Sequence, residues 1–207
     1  EEIREAGTEA LELVSNVTSP DAVDDLVKAT LETFGRVDFV INNAGAARGS
    51  DRVPVVDLQV EDWHKVMNVN LNGTFYMSRA FGQALIKQNQ GGAIINISSI
   101  AGKLLPPNTA AYAASKAGIQ ALTASMAQEV GRYDIRVNAI CPGIIDTYRM
   151  DDIGRGDAWQ AMMQRIPLGR PGNGQEIADM TAFLCSDQGA WITGQSYNVD
   201  GGTAVQH

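Results

Sequence analysis

Short runs of apolar, often β-branched residues alternate along this chain with longer stretches whose apolar positions recur at helical spacing. That alternation predicts a parallel sheet with helices packed on its faces. The short runs fall at Ala10–Val17, Val37–Asn42, Gly92–Ile97, Ile135–Cys141 and Gln195–Val199. They are nearly continuous in hydrophobicity, as strands buried on both faces are. Helical spacing covers Asp21–Phe34, Trp63–Gln88, Ala110–Tyr133 and Gln175–Cys185. Ser19-Pro20 opens the first of these with a cap residue and a proline at the first helical position, while Gly35 and Gly131 stand where C-terminal cap glycines belong. From Asp146 to Arg170 the period is lost among glycines, charges and Trp159. An excursion of that length inside one domain predicts a lid or substrate-binding loop. The expected fold class is α/β, a doubly wound parallel sheet forming a single domain over residues 1–207.

Composition narrows the function more than the fold. A net charge of -8 without any Lys/Arg-rich stripe excludes nucleic acid as a partner. Cys141 and Cys185 lie in apolar segments and read as small buried hydrophobes, not as a disulfide framework. His64 and His207 fall short of a metal cluster, so no metal is expected. There is no apolar run long enough for a membrane span and no signal-peptide pattern, which predicts a soluble cytoplasmic protein without a membrane partner. The sequence opens on Glu1-Glu2-Ile3-Arg4, inside a helical pattern, and its first methionine is Met67, so a segment upstream of Glu1 is expected.

The chemistry concentrates in Tyr112-Ala-Ala-Ser-Lys116, with Ser99 thirteen residues before the tyrosine. At spacing i, i+4 both side chains leave one face of a helix, and an ammonium can sit beside a phenol. A free phenol titrates near pH 10, and a neighbouring cation favours its ionised form. Such a pair is suited to acid/base work near neutrality, although on its own it also reads as an ordinary surface helical pair. Three candidate strands run into Asn43-Ala44-Gly45, Ser98-Ser99 and Pro142-Gly143. In an open α/β sheet ligands lie beyond these carboxyl ends. Met150, Trp159, Met162 and Met163 in the irregular segment either line a substrate pocket, the preferred reading, or pack the loop down.

Taken in order, Asn42-Asn43-Ala44-Gly45, Val69-Asn70-Leu71, Ser99, Tyr112-x-x-x-Lys116, Arg136-Val137-Asn138, Pro142-Gly143 and Asp200-Gly201-Gly202 resemble the classical short-chain dehydrogenases/reductases over essentially the whole chain. The resemblance implies a Rossmann-like domain that binds NAD or NADP and interconverts a secondary alcohol and a ketone. Tyr112 is then the general acid/base and Ser99 hydrogen-bonds the reacting oxygen. Lys116 lowers the tyrosine pKa and binds the nicotinamide ribose, and Asn70 anchors a water linking Lys116 to solvent. For the cofactor, the resemblance implies Asn16 and Val17 at the adenine, and Asn43, Ala44 and Gly45 along the adenosine ribose. Pro142, Gly143, Ile145 and Thr147 fall at the carboxamide and pyrophosphate end, beside Tyr112 and Lys116.

The sequence departs from the family in one respect. The glycine-rich Thr-Gly-x-x-x-Gly-x-Gly turn is absent, together with the first two strands and first helix and the residue that selects NAD or NADP. That leaves a second reading open, a non-catalytic scaffold that no longer binds a dinucleotide. It also makes Ala10–Val17 an edge strand without its usual neighbour. The long helices, rich in Ala, Gly and Ser, are those through which the family forms dimers, and Trp191–Gln195 with the tail through Thr203 would complete a homotetramer. The substrate is expected to be a small carbonyl or alcohol; a sugar, a polyol and an oxo-acyl group all fit.

Overall fold

The computed structural model describes residues 2–148, 150 and 154–205. Four strands, β1 (Phe39–Asn42), β2 (Gly92–Ile97), β3 (Ile135–Pro142) and β4 (Ser196–Val199), form one parallel sheet in the order β1-β2-β3-β4. The register pairs Phe39 with Ala93, Gly92 with Ile135, and Ala139 with Ser196. The helices are α1 (Glu2–Glu5), α2 (Pro20–Phe34), α3 (Val60–Met67), α4 (Gly73–Gln88), α5 (Ala101–Leu104), α6 (Ala110–Val130), α7 (Asp157–Met163) and α8 (Gly174–Cys185).

Strand alternation divides the core. Ile94, Val137 and Ile135 meet Phe81, Leu85, Ala127 and Val130 of α4 and α6, with Leu26, Val27 and Leu31 of α2 against them. Ile95 and Ile140 point the other way, to Leu184, Ile177 and Met180 of α8. Helices therefore cover both faces, and the doubly wound α/β class expected from the sequence is the one observed. Each fully buried isoleucine contributes about 1.5–3 kcal/mol relative to an exposed one.

Several expectations are corrected. Residues 8–16, which include all but the last residue of the predicted strand Ala10–Val17, have no regular structure, and Leu11, Leu13 and Val14 are exposed. No described strand lies beside them, and an apolar run without a ladder partner cannot satisfy its backbone groups as a strand. The second strand starts at Phe39, because Val37 pairs instead with the Gln88 carboxamide, donating to Oε1 and accepting from Nε2, both at 2.9 Å. The predicted helix Trp63–Gln88 begins earlier, at Val60, and contains a π-helical turn, Asn68–Asn72, between α3 and α4. Gly131 is not a left-handed cap. The chain tightens there into a 3-10 turn, Gly131–Tyr133, and Asp134 takes the positive φ of 59°.

The ends expected for the first predicted helix hold in detail. Ser19 caps α2 at the amide of Ala22, Pro20 is the first helical residue, and Gly35 closes the helix at φ 74°. α8 opens with a capping box between Asn173 and Glu176 that the sequence reading did not identify. Among the described residues no helix is long and apolar enough to cross a membrane, and no group of His, Cys, Asp and Glu could hold a metal ion.

Candidate active site

Because the four strands are parallel, Asn43-Ala44-Gly45, Ser98-Ser99 and Pro142-Gly143 all emerge on one rim of the sheet. Helix α6 crosses behind that rim and carries Tyr112 and Lys116 in its first two turns. Its junction with the end of β2 is tightly made. Ser98 Oγ donates to the carbonyl of Lys116 at 2.8 Å, and Gln120 Nε2 donates to Ser98 Oγ and to the carbonyl of Ser99. Gly102 of α5 lets the two helices approach: a Cβ there would lie 2.7 Å from the amide nitrogen of Ala117 and 2.8 Å from the carbonyl carbon of Lys116. Sequence reasoning named Ser98 only as a strand-end residue and passed over Gln120 and Gly102. The only hint was the small-residue run Ser98-Ser99-Ile100-Ala101-Gly102 after a buried strand.

Within this clamp Ser99 is buried and its Oγ accepts from the amide of Ala101, leaving the hydroxyl proton to donate. Lys116 is 5% exposed, and its Nζ donates to the carbonyl of Ile97 at 2.7 Å. The same ammonium lies 5.8 Å from the centre of the half-buried Tyr112 ring. A second cation attends that ring. Arg52, on the loop after β1, stacks its guanidinium carbon 4.3 Å from the ring centre, and its Nε lies 3.4 Å from the buried Asp51 carboxylate. Nothing in the sequence pattern singled out Arg52 or Asp51, because the contact joins a loop to a helix sixty residues away.

Asn70 sits fully buried in the π-helical turn. Its Oδ1 accepts from the amide of Ala46 at 2.7 Å, and its Nδ2 donates to Ser115 Oγ at 3.0 Å. Ser115 in turn donates to the carbonyl of Tyr112. The carboxamide thus ties the loop after β1 to the start of α6, using the frame shift that a π turn introduces at functional sites.

The residues expected at a cofactor are only partly gathered. Val17, Asn43 and Ala44 come together with Asn42 and Thr74 around a small cavity of about 50 Å³. Asn42 Oδ1 is buried without a hydrogen-bond partner among the described residues. Asn16 is exposed and its Oδ1 accepts from the amide and hydroxyl of Thr18, as a turn-forming Asn does. Gly143 is needed by the protein itself, since a Cβ would meet Asp200 at 2.7 Å. Ile145 bridges to Gly172 and lines a separate cleft of about 460 Å³ with Pro167, Leu168 and Arg170, a cleft whose walls exclude Ser99, Tyr112 and Lys116. Thr147 stands beyond it, accepting from the amide of Met150. An orphaned amide oxygen, a cavity between strand end and turn, and a buried ammonium fit the ribose half of a dinucleotide. The described residues contain no glycine-rich strand-to-helix turn for its pyrophosphate.

Of the two readings of the irregular segment, the described residues show the packed one. Trp159, Met163 and Ile166 pack on one another with Ile144, Met150 and Met162 as a satellite core. Arg155 pairs with Asp146 and stacks on the Trp159 ring. Arg149, Asp151 and Asp152 lie outside the described residues. Cys141 is wholly buried, and burial pushes its thiol above its ordinary value, as burial does for Cys185.

Known proteins agree with this architecture. A family model described as enoyl-(acyl carrier protein) reductase matches residues 1–204. The chain is 39% identical over 205 residues to a 3-oxoacyl-(acyl-carrier-protein) reductase of Synechocystis sp., covering 99% of this chain and 80% of the relative. It is 38% identical over 192 residues to the 3-oxoacyl-(acyl-carrier-protein) reductase of Thermotoga maritima, covering 93% and 76%. A crystal structure from Sinorhizobium meliloti 1021, described as a short-chain alcohol dehydrogenase, superposes with a TM-score of 0.91 at 34% identity, over 97% of this chain and 79% of that one. With the strand rim and the likeness in sequence and structure agreeing, the chain belongs to the short-chain dehydrogenase/reductase family, NAD(P)-dependent oxidoreductases acting on CH–OH groups.

Proposed function

We propose that this protein reduces the ketone of a small 3-oxoacyl compound, with Tyr112 as the proton donor to the carbonyl oxygen. The observation that carries the reading is the clamp between β2 and α6, which holds Ser99, Tyr112 and a buried Lys116 against one strand rim. Ser99 donates a hydrogen bond to the same carbonyl oxygen and fixes its position. Tyr112 transfers its proton to that oxygen as negative charge develops there. Lys116 holds a positive charge beside the phenol and would bind the ribose of a nicotinamide cofactor. Asn70 acts as a positioning residue, through Ser115 and Ala46. Asn16, Val17, Asn43, Ala44, Gly45, Pro142, Gly143, Ile145 and Thr147 would hold NAD or NADP, which when bound supplies or accepts the hydride.

The names of the relatives favour an oxo-acyl substrate over a sugar or polyol. The segment 146–170 serves as the substrate-binding lid. A cytoplasmic homotetramer completes the reading, built through α4 and α6, where Phe75 is exposed, and through the fully exposed Trp191. Light scattering is expected to give four subunits, and a monomer at micromolar concentration would count against that assembly.

The decisive assay follows oxidation of NADPH and NADH with a 3-oxoacyl thioester and, in parallel, a 2-enoyl thioester. Ketone turnover that falls about 10²- to 10⁴-fold in Tyr112→Phe is expected. Turnover of the enoyl compound alone, or a Tyr112→Phe variant with unchanged rate, overturns the reading.

A further inference from the structure

Arg52 has a settled position and unused donors. Its Nε is buried beside the Asp51 carboxylate, 3.4 Å away, and makes no hydrogen bond. Asp51 is itself held, with Oδ1 accepting from the amide of Gly49 and only 4% of the residue exposed. The guanidinium carbon lies over the Tyr112 ring, 4.3 Å from its centre, which holds the cation against the ring. The terminal nitrogens Nη1 and Nη2 donate to no group among the described residues, and 23% of the side chain is open to solvent.

The fork sits beside the phenol assigned to the reacting ketone. A ketone oxygen bonded to Tyr112 places the next functional group of its chain within reach of a guanidinium lying on the ring. Closing a substrate over the fork removes water from four N–H groups, and a substrate without an acceptor there leaves them unpaired. A site built this way rejects analogues that lack the matching oxygen.

We propose that Arg52 is a specificity-determining residue whose terminal nitrogens hydrogen-bond a second sp² oxygen, a thioester carbonyl or a carboxylate, carried beside the substrate's ketone. The inference rests on the ketone-reduction reading and names what that ketone must carry. A guanidinium meets two oxygens of a carboxylate with two parallel bonds and a single carbonyl with one.

The test measures kcat/KM for acetoacetyl-N-acetylcysteamine, acetoacetate and butan-2-one in the protein and in Arg52→Met and Arg52→Lys. For at least one acyl substrate, Arg52→Met is expected to lower kcat/KM about 10- to 100-fold more than for butan-2-one, mainly through KM. Arg52→Lys is expected to recover part of that difference, because it keeps the charge and loses the fork. A larger loss with acetoacetate assigns the site to a carboxylate; a larger loss with the thioester assigns it to an acyl carbonyl. Equal losses on all three compounds, or none, overturn the proposal and leave Arg52 a packing residue. If the protein turns over none of the three, the ketone-reduction reading fails. Arg52 is then judged by calorimetric binding of acetoacetate, where weaker binding in Arg52→Met supports the oxygen-binding role. Equal or undetectable binding overturns it.

Discussion

Two apolar runs of similar appearance meet opposite fates in this molecule. Gly92–Ile97 becomes the strand β2, flanked by β1 and β3, with Ala93, Ile94 and Ile95 wholly buried. Ala10–Val17 stays without regular structure for most of its length and leaves Leu11, Leu13 and Val14 exposed. Hydrophobicity nominates both as strands. What separates them is a neighbour on which to form a ladder and helices to close the faces. β1 stands between these extremes. Its pairing with β2 is complete, yet Phe39 and Ile41 stay about half exposed, and side-chain hydrogen bonds from Gln88 replace a strand partner at Val37.

The largest expected effect is in the β2 core. Ile94→Ala should lower unfolding stability by about 2–5 kcal/mol, while Val14→Ser should change it by less than about 0.5 kcal/mol, measured by denaturant titration. Comparable losses would mean that residues 8–17 are packed in solution and that the contrast is false. An intermediate effect is expected at the edge. Gln88→Leu removes the partners of the Val37 amide and carbonyl and should cost about 1–3 kcal/mol, with faster hydrogen exchange at Val37 than in β2. Unchanged exchange there would show that something other than Gln88 satisfies this backbone.

The smallest effect is expected at α8, on the opposite face. Hydrogen bonds from Arg170 and from the amide of Asn173 hold the Glu176 carboxyl down from 4.5 to about 2. A carboxylate depressed in the folded state stabilises fully above its unfolded value and loses that contribution as pH falls through the folded one. The thermal midpoint of the protein should therefore exceed that of Glu176→Gln above about pH 4.5, and the gap should close between there and pH 2. Because the pair is at the surface, the gap is small. A gap that persists undiminished to pH 2 would locate its origin in the neutral capping geometry of Asn173.

Much of the site was legible because its residues are close in sequence or bound to an obvious element. Tyr112 and Lys116 share one helix, and Ser99 follows a strand that periodicity alone delimits correctly, from Gly92 to Ile97. Asn70 was legible as a residue and not as a geometry. Its carboxamide serves Ala46 and Ser115, contacts made possible by a π turn that helical periodicity does not reveal. Asn16 was legible as a strand-end residue, while the turn in which its Oδ1 accepts from Thr18 was not.

By itself, the sequence determined the alternation of strand and helix, the two-faced burial of the central strands and the spacing of Ser99, Tyr112 and Lys116. These depend on local propensity and period, which neighbours in the chain carry. Tertiary structure alone decided that Arg52 would lie on Tyr112, that Gly102 would admit α5 against α6, and that Trp159 and the loop methionines would pack on one another. It also decided that Ala10–Val17 would go without a ladder. Each of these depends on which surfaces meet across distant stretches of chain, and a hydrogen bond or a close contact exists only when both partners arrive.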